Sequence, residues 1–162
     1  MPLRTADLAD QLGDRLLVCT LKLRTFGRSA AFGGRISTVR CCDDNGLVRD
    51  AVTEPGAGGV LVVDGGGSLE SALVGDVLAG LALGNGWSGL VINGAVRDVA
   101  ALAALDVGVV ALGTNPRRGR RDGTGERDVP VAFGGITFHP GCRLHADEDG
   151  IVVYREDNVA DI

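Results

Sequence analysis

Aromatic residues are scarce in these 162 residues: four Phe, one Tyr and one Trp, 4% of the chain. Core and pocket must be assembled from small aliphatic groups, and a site that stacks flat bases is not expected. Histidine is rarer still. Neither His139 nor His145 has the spacing of a zinc ligand or a place in a Ser, His and acid constellation, so hydrolytic triad chemistry is set aside. The four cysteines, Cys19, Cys41, Cys42 and Cys142, form no C-x-x-C pair and no secreted disulfide framework; they are expected to be reduced and mostly buried. No window approaches the length needed to cross a bilayer, and no basic start precedes an apolar stretch, so a soluble, cytoplasmic protein with no membrane partner is expected. Excess positive charge is missing too. A formal charge of −5 opposes non-specific association with nucleic acid, which is not expected as a direct ligand.

What is present is aliphatic and glycine-rich. Apolar residues make up 45% of the chain, and 26 glycines lie between regular aliphatic runs, where they read as turns and close backbone approaches. Thr5 is placed to cap a helix through Leu8, Ala9 and Leu12, followed by a half-buried strand over Leu16 to Leu23. A second β segment spans Gly34 to Cys41. Asp43-Asp44-Asn45-Gly46 then supplies caps and turns before a short helix around Leu47 to Val52. Gly59 to Asp64 is a β-branched run of the kind buried on both faces of a sheet, ended by Gly65-Gly66-Gly67. Helical spacing covers Leu69 to Leu73 and Asp76 to Leu83; Gly89 to Asn93 repeats the buried-strand signature before Gly94-Ala95-Val96 turns the chain. A helix over Val99 to Leu105 and a strand over Val107 to Leu112 follow. After a polar loop from Thr114 to Asp128, β segments are expected at Val129 to Phe133, Gly135 to Phe138 and Gly150 to Tyr154. Residues 1–162 therefore read as one α/β domain with mixed layers.

Four segments bear on chemistry. Val60 to Gly67 looks like a nucleotide-binding glycine loop, but G-x-G-x-x-G is not satisfied, and a structural turn is the better account. Arg117, Arg118, Arg120 and Arg121 lie in a Gly- and Pro-containing stretch that reads as a solvated loop. Arg97-Asp98 sits between a buried strand and a helix start, at the sheet edge where open α/β folds bind ligands. Asp98 favouring the helix N-terminus and Arg97 paired with a neighbouring carboxylate is the plainer alternative. Gly75-Asp76-Val77-Leu78 opens a helix whose unpaired N–H groups can hold an anion. Together, the last two supply a guanidinium for a carboxylate, a hard oxygen ligand for a cation and amides for a developing enolate.

Phe32 to Cys41, Val62 to Ser68, Gly89 to Asp98 and Phe133 to Phe138 together resemble the family of the regulator of ribonuclease activity A and the class II 4-hydroxy-4-methyl-2-oxoglutarate aldolases. The resemblance runs in order from about Thr5 to Val153. It implies a swivelling β/β/α fold related to phosphohistidine domains, and a homotrimer with pockets near subunit boundaries. Aldolase members carry Gly-Asp-x-Leu and an Arg-Asp pair, which stand here as Gly75-Asp76-Val77-Leu78 and Arg97-Asp98. Ribonuclease regulators can lack the acid of that pair; Asp98 is present. The family has also been labelled demethylmenaquinone methyltransferase, a label for which these residues offer no S-adenosylmethionine site.

The resemblance implies an aldolase that cleaves 4-hydroxy-4-methyl-2-oxoglutarate into two pyruvates and decarboxylates oxaloacetate as a side reaction. Asp98 is the expected ligand of a divalent cation, Mg²⁺ or Mn²⁺; Arg97 is expected to bind the 2-oxo acid carboxylate, and Gly75, Asp76, Val77 and Leu78 to line the substrate site. Lys22, the only lysine, leaves a Schiff-base route without support. The rival expectation is a non-catalytic protein that binds and inhibits a ribonuclease or helicase.

Overall fold

The computed structural model describes residues 3–159. In chain order it contains α1 (Thr5–Leu12), β1 (Leu17–Cys19), β2 (Arg24–Thr25), β3 (Phe32–Arg40), α2 (Gly46–Thr53), β4 (Val60–Asp64), β5 (Ala72–Val74), α3 (Asp76–Gly84), β6 (Gly89–Val96), α4 (Val99–Leu102), β7 (Gly108–Thr114), β8 (Glu126–Arg127), β9 (Val131–Phe133), β10 (Ile136–Phe138), β11 (Arg143–Asp147) and β12 (Gly150–Tyr154), with short 3₁₀ turns at Gly13–Arg15 and Glu156–Val159.

One mixed sheet organises these elements, in the order β1-β12-β11-β3-β4-β6-β7-β2. Its centre, β3-β4-β6-β7, is parallel, and antiparallel strands extend it on both sides. The centre is covered on both faces. Along β4, Leu61 and Val63 join the cluster beneath α2, α3 and α4, while Val60 and Val62 join the cluster on the opposite face with Phe138, Leu144 and Val153. That alternation follows from the two-residue period of a strand, and burial on both faces explains the unbroken apolar run of β4. A third cluster seats Leu8 and Leu12 of α1 on Val152 and Tyr154 of β12.

The scarcity of aromatics gives Phe32 a particular place. Its ring lies over the first residues of β6 and β7, where a Cβ on Gly89 or Gly108 would collide with it. These glycines are needed for close approach, because the large side chain on β3 occupies the space their own would fill.

Several elements depart from expectation. Thr5 is inside the first helix and does not cap it. Its hydroxyl donates to Asp147 Oδ1 at 2.7 Å and its N–H to Oδ2 at 2.8 Å, so a β11 carboxylate satisfies the helix end. The expected strand over Leu16 to Leu23 is regular only at Leu17–Cys19. Leu69 to Leu73 is not helical: Ala72–Val74 forms β5, parallel to β6, in a lane beyond the end of β4. Gly94-Ala95-Val96 does not turn the chain. The β6–β7 register shifts between Ile92 and Ala95 and pairing resumes at Ala95 and Val96, so the glycine marks a strand irregularity, where the sequence reading expected a strand end. The helix expected to Leu105 stops at Leu102. The long polar loop contains β8, and β11 was not anticipated. Cys19 and Cys41 are buried, Cys142 is half-buried and Cys42 is exposed. No helix among the described residues is long and apolar enough to cross a membrane.

Candidate functional site

The β6–α4 corner is where the strand order brings sequence-distant groups together. β5 and β6 run parallel and end side by side, so the segments leaving them, Gly75-Asp76 and Arg97-Asp98, emerge at the same edge. The Arg97 N–H donates to the Val74 carbonyl at 3.0 Å, tying the two exits together. Asp98 then adopts φ 60°, ψ 45°, the left-handed region. Asp tolerates this conformation better than most residues. The reversal directs the Asp98 carboxylate back to the start of α3, where Oδ2 accepts the Asp76 N–H at 3.1 Å. Asp98 thus complements the N-terminus of α3, although the plain reading assigned it to the helix that follows it. A weak contact of 3.9 Å links Arg97 Nε to the same oxygen.

Gly75 is required here by space: a Cβ would stand 2.5 Å from Asp98 Oδ2 and 3.3 Å from Arg97 Cγ. The first turn of α3 leaves the N–H groups of Val77 and Leu78 without an intrahelical acceptor. Gly75, Asp76, Val77, Leu78, Arg97 and Asp98 line one small recess that opens to solvent. All six residues singled out in the sequence therefore meet in one place.

The opposite wall was missed. Asn45, Arg49, Arg118 and Arg121 line the same recess. Arg118 and Arg121 belong to the stretch read as a solvated loop; they are exposed, but their backbone is pinned. Arg117 O accepts from Ala72 N–H at 2.7 Å and Gly119 N–H donates to Ala72 O at 3.1 Å, docking the segment on β5. Arg120 N–H donates to Asp43 O at 2.8 Å and its carbonyl accepts from Asn45 N–H at 2.8 Å. Behind this sits Asp44, fully buried. Its carboxylate accepts the N–H groups of Gly46 at 2.9 Å, Gly123 at 3.1 Å and Thr124 at 3.2 Å, and the Thr124 hydroxyl at 2.7 Å. Burial alone raises a carboxyl pKa, but these donors outweigh it and hold Asp44 at about 2. The one signal in the sequence was the Asp43-Asp44-Asn45-Gly46 turn, whose long-range partners no local pattern reveals.

The glycine-rich loop after β4 has no free cradle. Gly65 and Gly67 donate to the Asn93 carbonyl at 3.0 and 3.2 Å, and Gly66 donates to Asp64 Oδ1 at 2.9 Å, the same oxygen that receives Asn93 Nδ2 at 3.0 Å. These amides are consumed internally, which supports the structural-turn reading. His139 is exposed just beyond β10 and His145 lies within β11; both are remote in sequence and absent from the recess lining.

The family model described as RraA-like, Aldolase/RraA, matches residues 5–153. The chain belongs to the RraA-like family. A Thermus thermophilis structure described as the RNA-processing inhibitor RraA is 44% identical, with 96% of this chain and 94% of that one covered and a TM-score of 0.93. A protein from Geobacillus kaustophilus HTA426 described as an S-adenosylmethionine:2-dimethylmenaquinone methyltransferase is also 44% identical, covers 99% of both chains and has a TM-score of 0.94. Streptomyces coelicolor RraAS2, described as an unusual member of the RNase ES inhibitor RraA family, is 28% identical over 94% of this chain and 78% of its own, with a TM-score of 0.76. The mixed α/β architecture is that of the RraA fold.

Proposed function

We propose that this RraA-like protein is a divalent-metal-dependent aldolase that cleaves 4-hydroxy-4-methyl-2-oxoglutarate into two pyruvates, with oxaloacetate decarboxylation as a side reaction of the same site. The observation that carries the reading is the convergence of Arg97, Asp98 and the first turn of α3 on one recess. Magnesium is typically held by one or two carboxylates, with water and substrate oxygens filling its remaining positions. Asp98 offers such a carboxylate and Asp76 lies in the same lining. Among the described residues no three His, Cys, Asp or Glu side chains gather as a metal-binding group, so the protein's share of the coordination would rest on Asp98, with water and substrate oxygens supplying the rest. Asp98 would hold the cation, which when bound polarises the substrate's keto and carboxylate oxygens.

The chain's own groups then have distinct tasks. Arg97 binds the carboxylate beside the keto group through its planar fork. As the hydroxyl proton leaves, the bond between the hydroxyl-bearing carbon and the carbon next to the keto group breaks, releasing one pyruvate and the enolate of a second, which then takes up a proton. The Val77 and Leu78 amides with Arg97 stabilise the charge that develops on the enolate. Asp76 orients water at the recess mouth. Loss of carbon dioxide from oxaloacetate develops the same charge, which accounts for the paired activities.

The test is pyruvate release from 4-hydroxy-4-methyl-2-oxoglutarate and from oxaloacetate in Mg²⁺, with and without chelator. Chelator-sensitive release from both, abolished in Asp98→Ala and Arg97→Ala, is expected; no release from either substrate sinks the aldolase reading.

A second reading, inhibition of a ribonuclease by a homotrimer of this chain, draws on the description of the 44% identical Thermus protein as an RNA-processing inhibitor. A saturable complex with a ribonuclease in the absence of turnover would favour it. The homotrimer belongs to both readings and is checked by light scattering.

A further inference from the structure

The recess holds more positive charge than one carboxylate requires. Its lining includes four guanidiniums, Arg49, Arg97, Arg118 and Arg121, against two carboxylates, Asp76 and Asp98. Arg97 is engaged with Asp98 Oδ2 at 3.9 Å and the Pro116 carbonyl at 3.5 Å. Arg49, Arg118 and Arg121 form no ion pair with a carboxylate within 4 Å among the described residues. Unneutralised like charges repel, and a fold with no use for them has little reason to hold them together. Arg121 registers this: partial desolvation first, then the charges of Arg118, Arg49 and Arg97, lower its pKa from the ordinary arginine value.

We propose that Arg49, Arg118 and Arg121 form a second anion subsite, which receives the carboxylate at the far end of the substrate and so selects 2-oxo dicarboxylic acids over 2-oxo monocarboxylic acids. The proposal rests on the aldolase reading and adds to it the residues that read the distal end. The geometry supports a built subsite. Arg118 lies between two residues hydrogen-bonded to Ala72, and Arg121 follows a residue bonded to both Asp43 and Asn45, so both start from a fixed backbone. Gly119 separates the docked segments because a Cβ there would stand 2.9 Å from the Asp43 carbonyl. Arg49 arrives independently, on α2, from the same Asp44-capped turn. Asn45 adds a polar group: it is 7% exposed, lines the recess and leaves Oδ1 without a hydrogen-bond partner. Rotation of that amide exchanges the unsatisfied acceptor for a donor suited to an acid oxygen.

A small dianion fits this arrangement better than a nucleic-acid backbone. The arginines share a concave recess with Asp76 and Asp98, so an extended polyphosphate would be drawn past like charges, and the chain's net charge of −5 opposes it at longer range.

The experiment is calorimetric titration of the full chain in Mg²⁺ with pyruvate and with 2-oxoglutarate, a dicarboxylic probe that has no aldol bond to cleave. The wild type is expected to bind 2-oxoglutarate about tenfold more tightly than pyruvate. Arg118→Gln combined with Arg121→Gln should bring that ratio near one and leave pyruvate affinity within about twofold; Arg49→Gln should reduce it less. Arg118→Lys with Arg121→Lys should retain part of the preference, since charge survives and the fork does not. A preference that persists in the double Gln variant overturns the subsite and leaves the aldolase reading standing. Equal loss of both ligands also overturns it, because the arginines then act on the whole recess. If the wild type binds neither probe, the aldolase reading and the subsite fall together. Salt-sensitive binding of a short RNA, lost in the double Gln variant with no discrimination between oxo acids, replaces the subsite with a nucleic-acid contact.

Discussion

The two walls of the recess are built by different means. On one side, β5 and β6 end side by side, Val74 opposite Val96 beyond a register shift, and hand Gly75-Asp76 and Arg97-Asp98 to the same edge; parallel strand pairing does the positioning. On the other, irregular chain from residues 115 to 125 is held in place by one buried carboxylate, Asp44, and a few backbone bonds to Ala72, Asp43 and Asn45. The first wall draws its rigidity from the whole sheet, while the second depends on one buried carboxylate and a handful of local backbone bonds. Damage to the first should therefore appear chiefly in turnover, and damage to the second chiefly in stability.

The largest effect is expected at Gly75→Ala. The added methyl must displace Asp98 Oδ2, which would lie 2.5 Å away, and kcat/KM should fall about a hundredfold for so small a misplacement. The urea midpoint should stay close to wild type, since the change is at the mouth of the recess. A large loss of stability would show that this wall is not independently braced.

Asp44→Ala is expected to produce the opposite profile. Four donors lose their acceptor in a fully buried position, at a cost of about 3 kcal/mol measured by urea unfolding. The pH dependence has a definite sign. Asp44 is depressed from 3.8 to about 2 in the folded protein, so its contribution is complete above the unfolded value and is lost as pH falls from near 4 toward 2. Acid unfolding of the Asp44→Asn variant should lack that component; an unchanged acid limb would remove Asp44 as the clamp.

Smaller changes grade the same wall. Thr124→Val removes one hydroxyl bond to Asp44, 2.7 Å long, and should cost about 1 kcal/mol in the same assay. Glu54→Gln breaks the paired contacts with Arg127 at 2.9 and 2.8 Å, which join α2 to β8 beyond the loop. The Glu54 side chain is 55% exposed, so the loss should stay under about 1 kcal/mol and shrink further in high salt.

The same contrast explains what was legible beforehand. The strand β4, the core of β6 and the helix α3 announce themselves by apolar runs and spacing, and the family resemblance pointed to Gly75 through Leu78 and to Arg97-Asp98. Those segments lie at the ends of regular elements, where local pattern and position in the fold coincide. Arg118 and Arg121 carried no such mark. Their placement depends on Asp44 meeting residues 79 and 80 positions away in the chain, a pairing that neither hydrophobic period nor turn chemistry encodes. β5 was misread for a related reason: three buried residues have no resolvable period, and parallel pairing with β6 decides their state. Gly94 was read by its usual meaning, a break, whereas β6 continues past it because β5 and β7 still have partners to offer.

Phe32, seated over Gly89 and Gly108, limits the routes by which this sequence can change. Either glycine gaining a side chain while the ring remains creates a collision, and the ring shrinking alone opens a void over β6 and β7. The three positions form an epistatic unit: substitutions damaging singly become tolerable in combination, so lineages should differ there by coordinated exchange and rarely by a single step.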